Sequence, residues 1–261
     1  LSSSDMVWRA RLVCRLSLSD FLVVYPVRVF LSSMLPQALM QVLFLVLLGR
    51  MLHLGDDTFL MTGALAQVMV GETVIAVADV LVDDKDSGTM PSLRRGVMPV
   101  GLVAALRAWV HGAHGLVLLV CCLLVDSLLL GSPGLILRVL PLLPLYVLMA
   151  LSSLGLGLAG AAVATGRRSD VLVGNLLNTV IMLGSGVLVS LGHPGGWLRA
   201  LTELLPIAHG LPAVREFIAG RSDFRDVGWE FVVALGWFGV MTAVLRVQSV
   251  RARRTGFDEF A

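Results

Sequence analysis

Along this chain, long apolar runs alternate with short polar stretches. Six runs stand out, at about 27–48, 59–81, 102–130, 135–164, 171–191 and 227–247. A helix that crosses the roughly 30 Å hydrocarbon core of a bilayer needs about 20 mainly apolar residues. These runs meet that length and are too long for strands. Lipid admits only helices and closed barrels, because each backbone polar group needs a partner within the protein. The pattern therefore predicts an all-α integral membrane protein with six transmembrane helices. Composition agrees, with 57% hydrophobic and 15% charged residues against roughly 25% charged in a soluble domain.

The flanks add three elements. Ahead of the first run, residues 5–22 hold Trp8, Leu12 and Leu16 four apart, with Arg11 and Arg15 on an adjoining face. This predicts a helix lying in the membrane interface, its arginines toward anionic headgroups. No small-residue cleavage site follows the first run, so the first span is expected to be retained. Between runs five and six, the segment 193–226 is too apolar for a free loop, yet Pro206, Gly210 and Pro212 cut it into pieces too short to cross. Two short re-entrant helices fit it, provided protein covers the backbone at their turn; an amphipathic segment resting on the surface is the other reading. The last element, 248–261, is a tail.

Basic residues near span ends set orientation. With the N-terminus inside, the cytoplasmic side collects Arg9, Arg11, Arg15, Arg28, Lys85, Arg94, Arg95, Arg107, Arg167, Arg168, Arg246, Arg251, Arg253 and Arg254, leaving Arg50, Arg138, Arg199, Arg215, Arg221 and Arg225 opposite. Both termini are expected to be cytoplasmic, in a plasma-membrane protein.

That orientation puts the most polar stretch, VDDKDSGTMPSLRRGVMP from Val82 to Pro99, in the first cytoplasmic loop. A hairpin between two spans needs only a few residues. Here Ser87 or Thr89 is placed to cap a short helix, Pro91 suits a first helical turn, Leu93 offers an apolar contact, and Gly96 and Pro99 end it. The loop 83–99 thus predicts a short helix parallel to the membrane with Arg94 and Arg95 turned outward, shaped to receive a cytoplasmic partner.

Several chemistries are excluded. Lys85 is the only lysine and stands in DDKDSGT, which leaves no Walker A loop, so the chain has no ATPase motif. His111 and His114 stand three apart without a cysteine or carboxylate cluster to complete a metal site. Cys14, Cys121 and Cys122 form no disulfide framework. Charges inside spans are read as functional by default. Glu72 and Asp79 are two turns apart on span two, and Arg107 and His111 enter span three from the same side, so that Arg107 is expected to pair with Asp79 or Glu72. Asp126 and Arg138 flank the turn around GSPG and are expected to pair likewise. Each pair either holds helices together or takes part in gating. Span four ends in SSLGLGLAGAAVATG, small residues that let helix backbones approach closely, within this chain or across a dimer.

Three stretches together resemble ABC-2 type transporter permeases, in particular the daunorubicin-exporter-like branch. ADVLVDDKDSGTMPSLRRGVMPVGLVAALRAW is similar to that family's loop between spans two and three. GGWLRALTELLPIAHGLPAVREFIAG resembles its connection between spans five and six, and SSMLPQALMQVLFLVLLG its proline-bearing first span. The chain departs from the family where Gly195-Gly196-Trp197 replaces Pro-Gly-Trp and Leu205-Pro206 replaces Asn-Pro. The resemblance implies a permease that pairs with a second permease chain, identical or homologous, and with two cytoplasmic ABC ATPase subunits. ATP and Mg would be bound on those subunits, with no cofactor on this chain and no nucleic-acid partner. It further implies that Asp86, Ser87, Gly88, Thr89, Leu93, Arg94 and Arg95 form an ATPase-coupling helix. Trp197, Pro206, Pro212 and Arg215 would shape the outer exit. The implied substrate is hydrophobic or amphipathic: a drug, a lipid or a lipid-linked glycan. The rival expectation is an ion-coupled transporter using Glu72, Asp79 and Arg107, against which stands the lack of internal repeats.

Overall fold

The computed structural model describes residues 3–164, 170–187, 196–221 and 224–255. The side chains of Asp79, Asp86 and Trp197, together with Arg167, Arg168, residues 193–195 and 256–261, lie outside the described residues. Helices form all the regular structure among the described residues. They are α1 (Ser3–Val24), α2 (Val27–Val29), α3 (Leu35–Met51), α4 (Asp57–Asp86), α5 (Met90–Arg95), α6 (Val100–Leu129), α7 (Gly134–Val139), α8 (Leu143–Ala164), α9 (Asp170–Gly184), α10 (Trp197–Glu203), α11 (Gly210–Ile218) and α12 (Arg225–Thr255). A π-helical turn at Phe30–Met34 joins α2 to α3 without a break, and a 3-10 turn at Leu140–Leu142 joins α7 to α8.

Five of these units are long and apolar enough to cross a membrane: Val27–Met51, Asp57–Asp84, Val100–Leu129, Gly134–Ala164 and Arg225–Arg251. The fifth apolar run carries α9. From Asp170, the first described residue after the 165–169 stretch, α9 covers 15 residues, a rise of about 22 Å. It stops at Gly184, ahead of a turn through Ser185 and Gly186, before the run 171–191 is complete.

α4 is the hub of the bundle. Leu65, Met69, Val70, Val74, Val77 and Leu81 are all buried along it, and α3, α6, α8, α9 and α11 pack around it. α12 packs on α8, and α1 on α6. Local signals explain its limits. The Asp56 carboxylate accepts the Phe59 N–H at 2.9 Å and caps the first turn. At the far end Gly88 takes φ +67 and the Thr89 N–H reaches back to the Asp84 carbonyl at 2.9 Å, a Schellman-type stop for which glycine is the residue without steric cost. α4 therefore runs through Asp86, several residues into what the sequence reads as loop.

The small residues of α8 are used within this chain. A methyl group on Gly155 would come within 3.0 Å of the Trp237 Cβ on α12, and one on Gly157 within 3.4 Å of the Val74 backbone on α4. The run lets α8 sit between its two neighbours at close range.

Candidate functional site

The end of the bundle that carries α5 is tied together by one carboxylate. Asp84, on the last turns of α4, has a side chain only 9% exposed. Its Oδ2 accepts a short charge-assisted hydrogen bond from Arg107 on α6, and its Oδ1 accepts the Thr89 hydroxyl at 3.1 Å. Thr89 Oγ1 also lies 3.2 Å from the Asp84 carbonyl and 3.0 Å from Ser87 Oγ. Thr89 carbonyl then accepts the Ser92 and Leu93 N–H groups at 3.0 and 3.1 Å, opening α5. The turn from α4 into α5 is thus held to both α4 and α6.

Several sequence expectations change here. Arg107 bonds Asp84, not Glu72, because α4 continues as helix far enough to bring Asp84 level with Arg107. The Asp79 side chain lies outside the described residues. Neither Ser87 nor Thr89 caps α5 with its side chain: Thr89 occupies the cap position in a helical backbone conformation and makes no side-chain cap bond, its hydroxyl being directed to Asp84. Pro91 does stand in the first turn of α5. Its buried anchor is Met90, at 1% exposure, while Leu93 is half-buried. Arg95 is exposed and its Nε donates to the Pro91 carbonyl at 3.2 Å. Arg94 is half-buried, so of the two arginines only Arg95 is turned fully outward.

Within the bundle, Glu72 is half-buried and lies 3.8 Å from His114 Nδ1. His111 and His114 both pack against Phe21 of α1, with ring centroids 5.5 and 5.2 Å away. Among the described residues no three of His, Cys, Asp and Glu gather in a way that would hold a metal ion. The expected Asp126 to Arg138 pair is absent: Asp126 is fully buried with neither carboxylate oxygen bonded, whereas Arg138 is exposed on α7. The ion pair at that turn is Arg50 with Asp57, two parallel bonds of 2.7 and 2.8 Å. Gln67 on α4 donates to Asn178 on α9 at 2.9 Å, a polar tie that spacing alone does not reveal.

At the opposite end, α11 tucks Gly210, Leu211, Ala213 and Val214 into the bundle. Arg215 projects from it onto the start of α4. Its guanidinium donates to the Gly186, Phe59 and Val187 carbonyls at 2.9, 3.0 and 3.3 Å, and lies 3.5 Å over the Phe59 ring. Burial draws its pKa down to about 10, so the group stays cationic at neutral pH. Pro206 is buried, and its carbonyl accepts the Ser185 hydroxyl at 2.9 Å. Pro212 lies half-buried in the first turn of α11.

The sequence reading passed over the group that organises this end. Glu230 on α12 is fully buried. It accepts the Ile207 N–H at 3.0 Å on Oε1 and the Gly210 N–H at 2.9 Å on Oε2, and the Ser152 hydroxyl makes a short bond to Oε1. Ile207 has φ +62, a conformation costly for a β-branched residue, here fixed by the carboxylate. The available signal was a carboxylate a turn or so into an apolar run.

A family model described as ABC-2 type transporter matches residues 18–218 of the chain. No curated protein matches it.

Proposed function

The chain belongs to the ABC-2 type transporter family, and on that premise we propose that it is the permease subunit of an ATP-driven exporter. Two copies of a separate ABC ATPase supply hydrolysis, binding the ATP and Mg, and a second permease chain completes the pathway. The substrate is hydrophobic or amphipathic, in the class of drugs, lipids and lipid-linked glycans. In this reading α9 belongs to a sixth span, α5 faces the cytoplasm as the coupling helix of a plasma-membrane protein, and α10 and α11 border the outer exit. Both termini lie on the cytoplasmic side.

The observation that carries the reading is the Asp84 clamp. A push on α5 can move spans only if α5 is mechanically tied to them, and the Asp84 bonds to Thr89 and Arg107 join it to α4 and α6. Gly88 at φ +67 has open space around it, so replacing it strains the turn without creating a clash inside the bundle.

The test starts with the chain purified from its native membrane in mild detergent, its companions identified by mass spectrometry and ATP hydrolysis assayed. Recovery of an ABC ATPase with vanadate-sensitive activity supports the proposal. Charge reversal at Arg94 and Arg95, or a bulky residue at Gly88, is then expected to leave the chain inserted but abolish ATP-dependent transport. Full transport by those variants would remove the coupling role, and an isolated chain with no ATPase would remove the exporter itself.

A further inference from the structure

Two buried methionines bracket α5. Met90, 1% exposed, joins Val77 and Leu81 of α4 and Ala104 and Ala108 of α6 in one packed cluster, and Met98, three residues past the end of α5, is buried as well. Between these two pins, the residues that stand clear of the bundle are Ser92, Arg95, Gly96 and Val97. Gly96 shapes their crest. The chain leaves α5 there at ψ 162, in extended backbone, where successive side chains point opposite ways. Burying Met98 therefore turns Val97 out, and Val97 is 54% exposed. Arg95 stands beside it, fixed by the bond from its Nε to the Pro91 carbonyl at 3.2 Å.

Depth separates this crest from lipid. Leu128 and Leu129 are exposed at 64% and 65% and mark the apolar end of α6 remote from α5. About 20 residues back along α6, the length of a roughly 30 Å core at 1.5 Å per residue, stands Trp109, exposed as tryptophans at a membrane interface are. Val100, where α6 begins, lies about 14 Å further along the helix, past an interfacial layer about 5–8 Å deep. Val97 precedes Val100 by three residues, so the crest meets water and not the bilayer. An exposed guanidinium and an exposed branched apolar side chain, side by side in water, are complemented by a carboxylate set next to an apolar floor.

Resting on the permease reading, we propose that the ABC ATPase receives α5 in a cleft with a carboxylate at its rim for Arg95 and an apolar floor for Val97. Those two residues carry the contact. Thr89, through Asp84, and Met90 pass the load to α4 and α6. Val97 lies beyond the end of α5 and outside the set that the family resemblance implies.

The experiment uses the complex purified from its native membrane in mild detergent, with a photo-cross-linking phenylalanine derivative in place of Val97, and maps the linked peptide by mass spectrometry. The expected product joins residue 97 to an ATPase peptide that carries an aspartate or glutamate. A link to lipid, or to this chain alone, overturns the assignment. Arg95→Glu and Val97→Asp, both at exposed positions, are expected to leave the melting curve of the chain unchanged and to lower the ATPase retained about tenfold or more each. Changing the linked carboxylate to lysine is expected to restore retention by Arg95→Glu. ATPase held by both variants as well as by the unmodified chain overturns the assignment and leaves the permease reading standing. An unmodified chain that brings down no ATPase removes that reading and this cleft with it.

Discussion

Replacing Glu230 by alanine strips a shared acceptor from buried donors. Ser152 keeps a second acceptor in the Met149 carbonyl at 3.0 Å, so the cost falls on the Ile207 and Gly210 N–H groups, which lie where water does not reach. Stranding each costs about 1–3 kcal/mol. Release of Ile207 from its left-handed conformation returns about 1–2 kcal/mol. The net expectation is a loss of about 1–4 kcal/mol, which at about 2–4 °C per kcal/mol lowers the melting temperature by about 2–16 °C. Glu230→Gln should fall between, since its carbonyl still serves Ile207 but its amide meets the Gly210 N–H donor to donor. The measurement is thermal unfolding of the full chain in mild detergent, with limited proteolysis to show that cleavage concentrates at 204–210. Glu230→Ala melting within about 2 °C of the unmodified chain would mean that the carboxylate does not organise this segment.

Three further changes probe the rest of the bundle. Asp84→Asn and Arg107→Gln are expected to be non-additive, with a coupling energy of about 1–2 kcal/mol for a pair that is still partly solvated; additive effects in a double-mutant cycle would sink the clamp. A methyl group at Gly63 would sit 2.1 Å from the Val187 carbonyl oxygen and 3.0 Å from Arg215 Nη2, so Gly63→Ala should cost about 1–3 kcal/mol through backbone displacement, and a melting curve unchanged from the unmodified chain counts against the close approach of α4 to the end of α9. Arg215→Lys keeps the charge but loses the fork that spans three carbonyls and the stacking on Phe59. A destabilisation of about 1–3 kcal/mol is expected, read by the same melt, and full stability would show that a point charge suffices.

The helical class and the apolar runs were legible because a bilayer leaves few alternatives and twenty-residue runs announce themselves. The stretch 82–99 was legible as a break in composition, and Pro91 and Gly96 bracket α5 as their backbone preferences require. The bond of Arg107 to Asp84 was not legible: it depended on α4 continuing through Asp86, and a polar helix end looks like loop in a single sequence. Glu230 was hidden for another reason. Its partners are backbone N–H groups 20 and 23 residues away in the chain, and backbone donors carry no side-chain signature. The Gln67 to Asn178 bond joins residues 111 apart, a meeting decided by how α9 packs on α4. The stop of α9 at Gly184 escaped because hydropathy measures an apolar run and not where the helix within it ends.

The unbroken length of α4 makes it a lever. Its 30 residues extend about 45 Å, with Asp84 near one tip and Phe59 near the other. A tilt of about ten degrees about the midpoint would carry each tip about 4 Å in opposite senses. That travel is longer than the 3.0 Å bond by which Arg215 holds the Phe59 carbonyl. A rigid rod clasped at both tips cannot swing at one alone, so the latch at Arg215 and the clamp at Asp84 are two ends of a single mechanical element, and a hand laid on either is felt at the other.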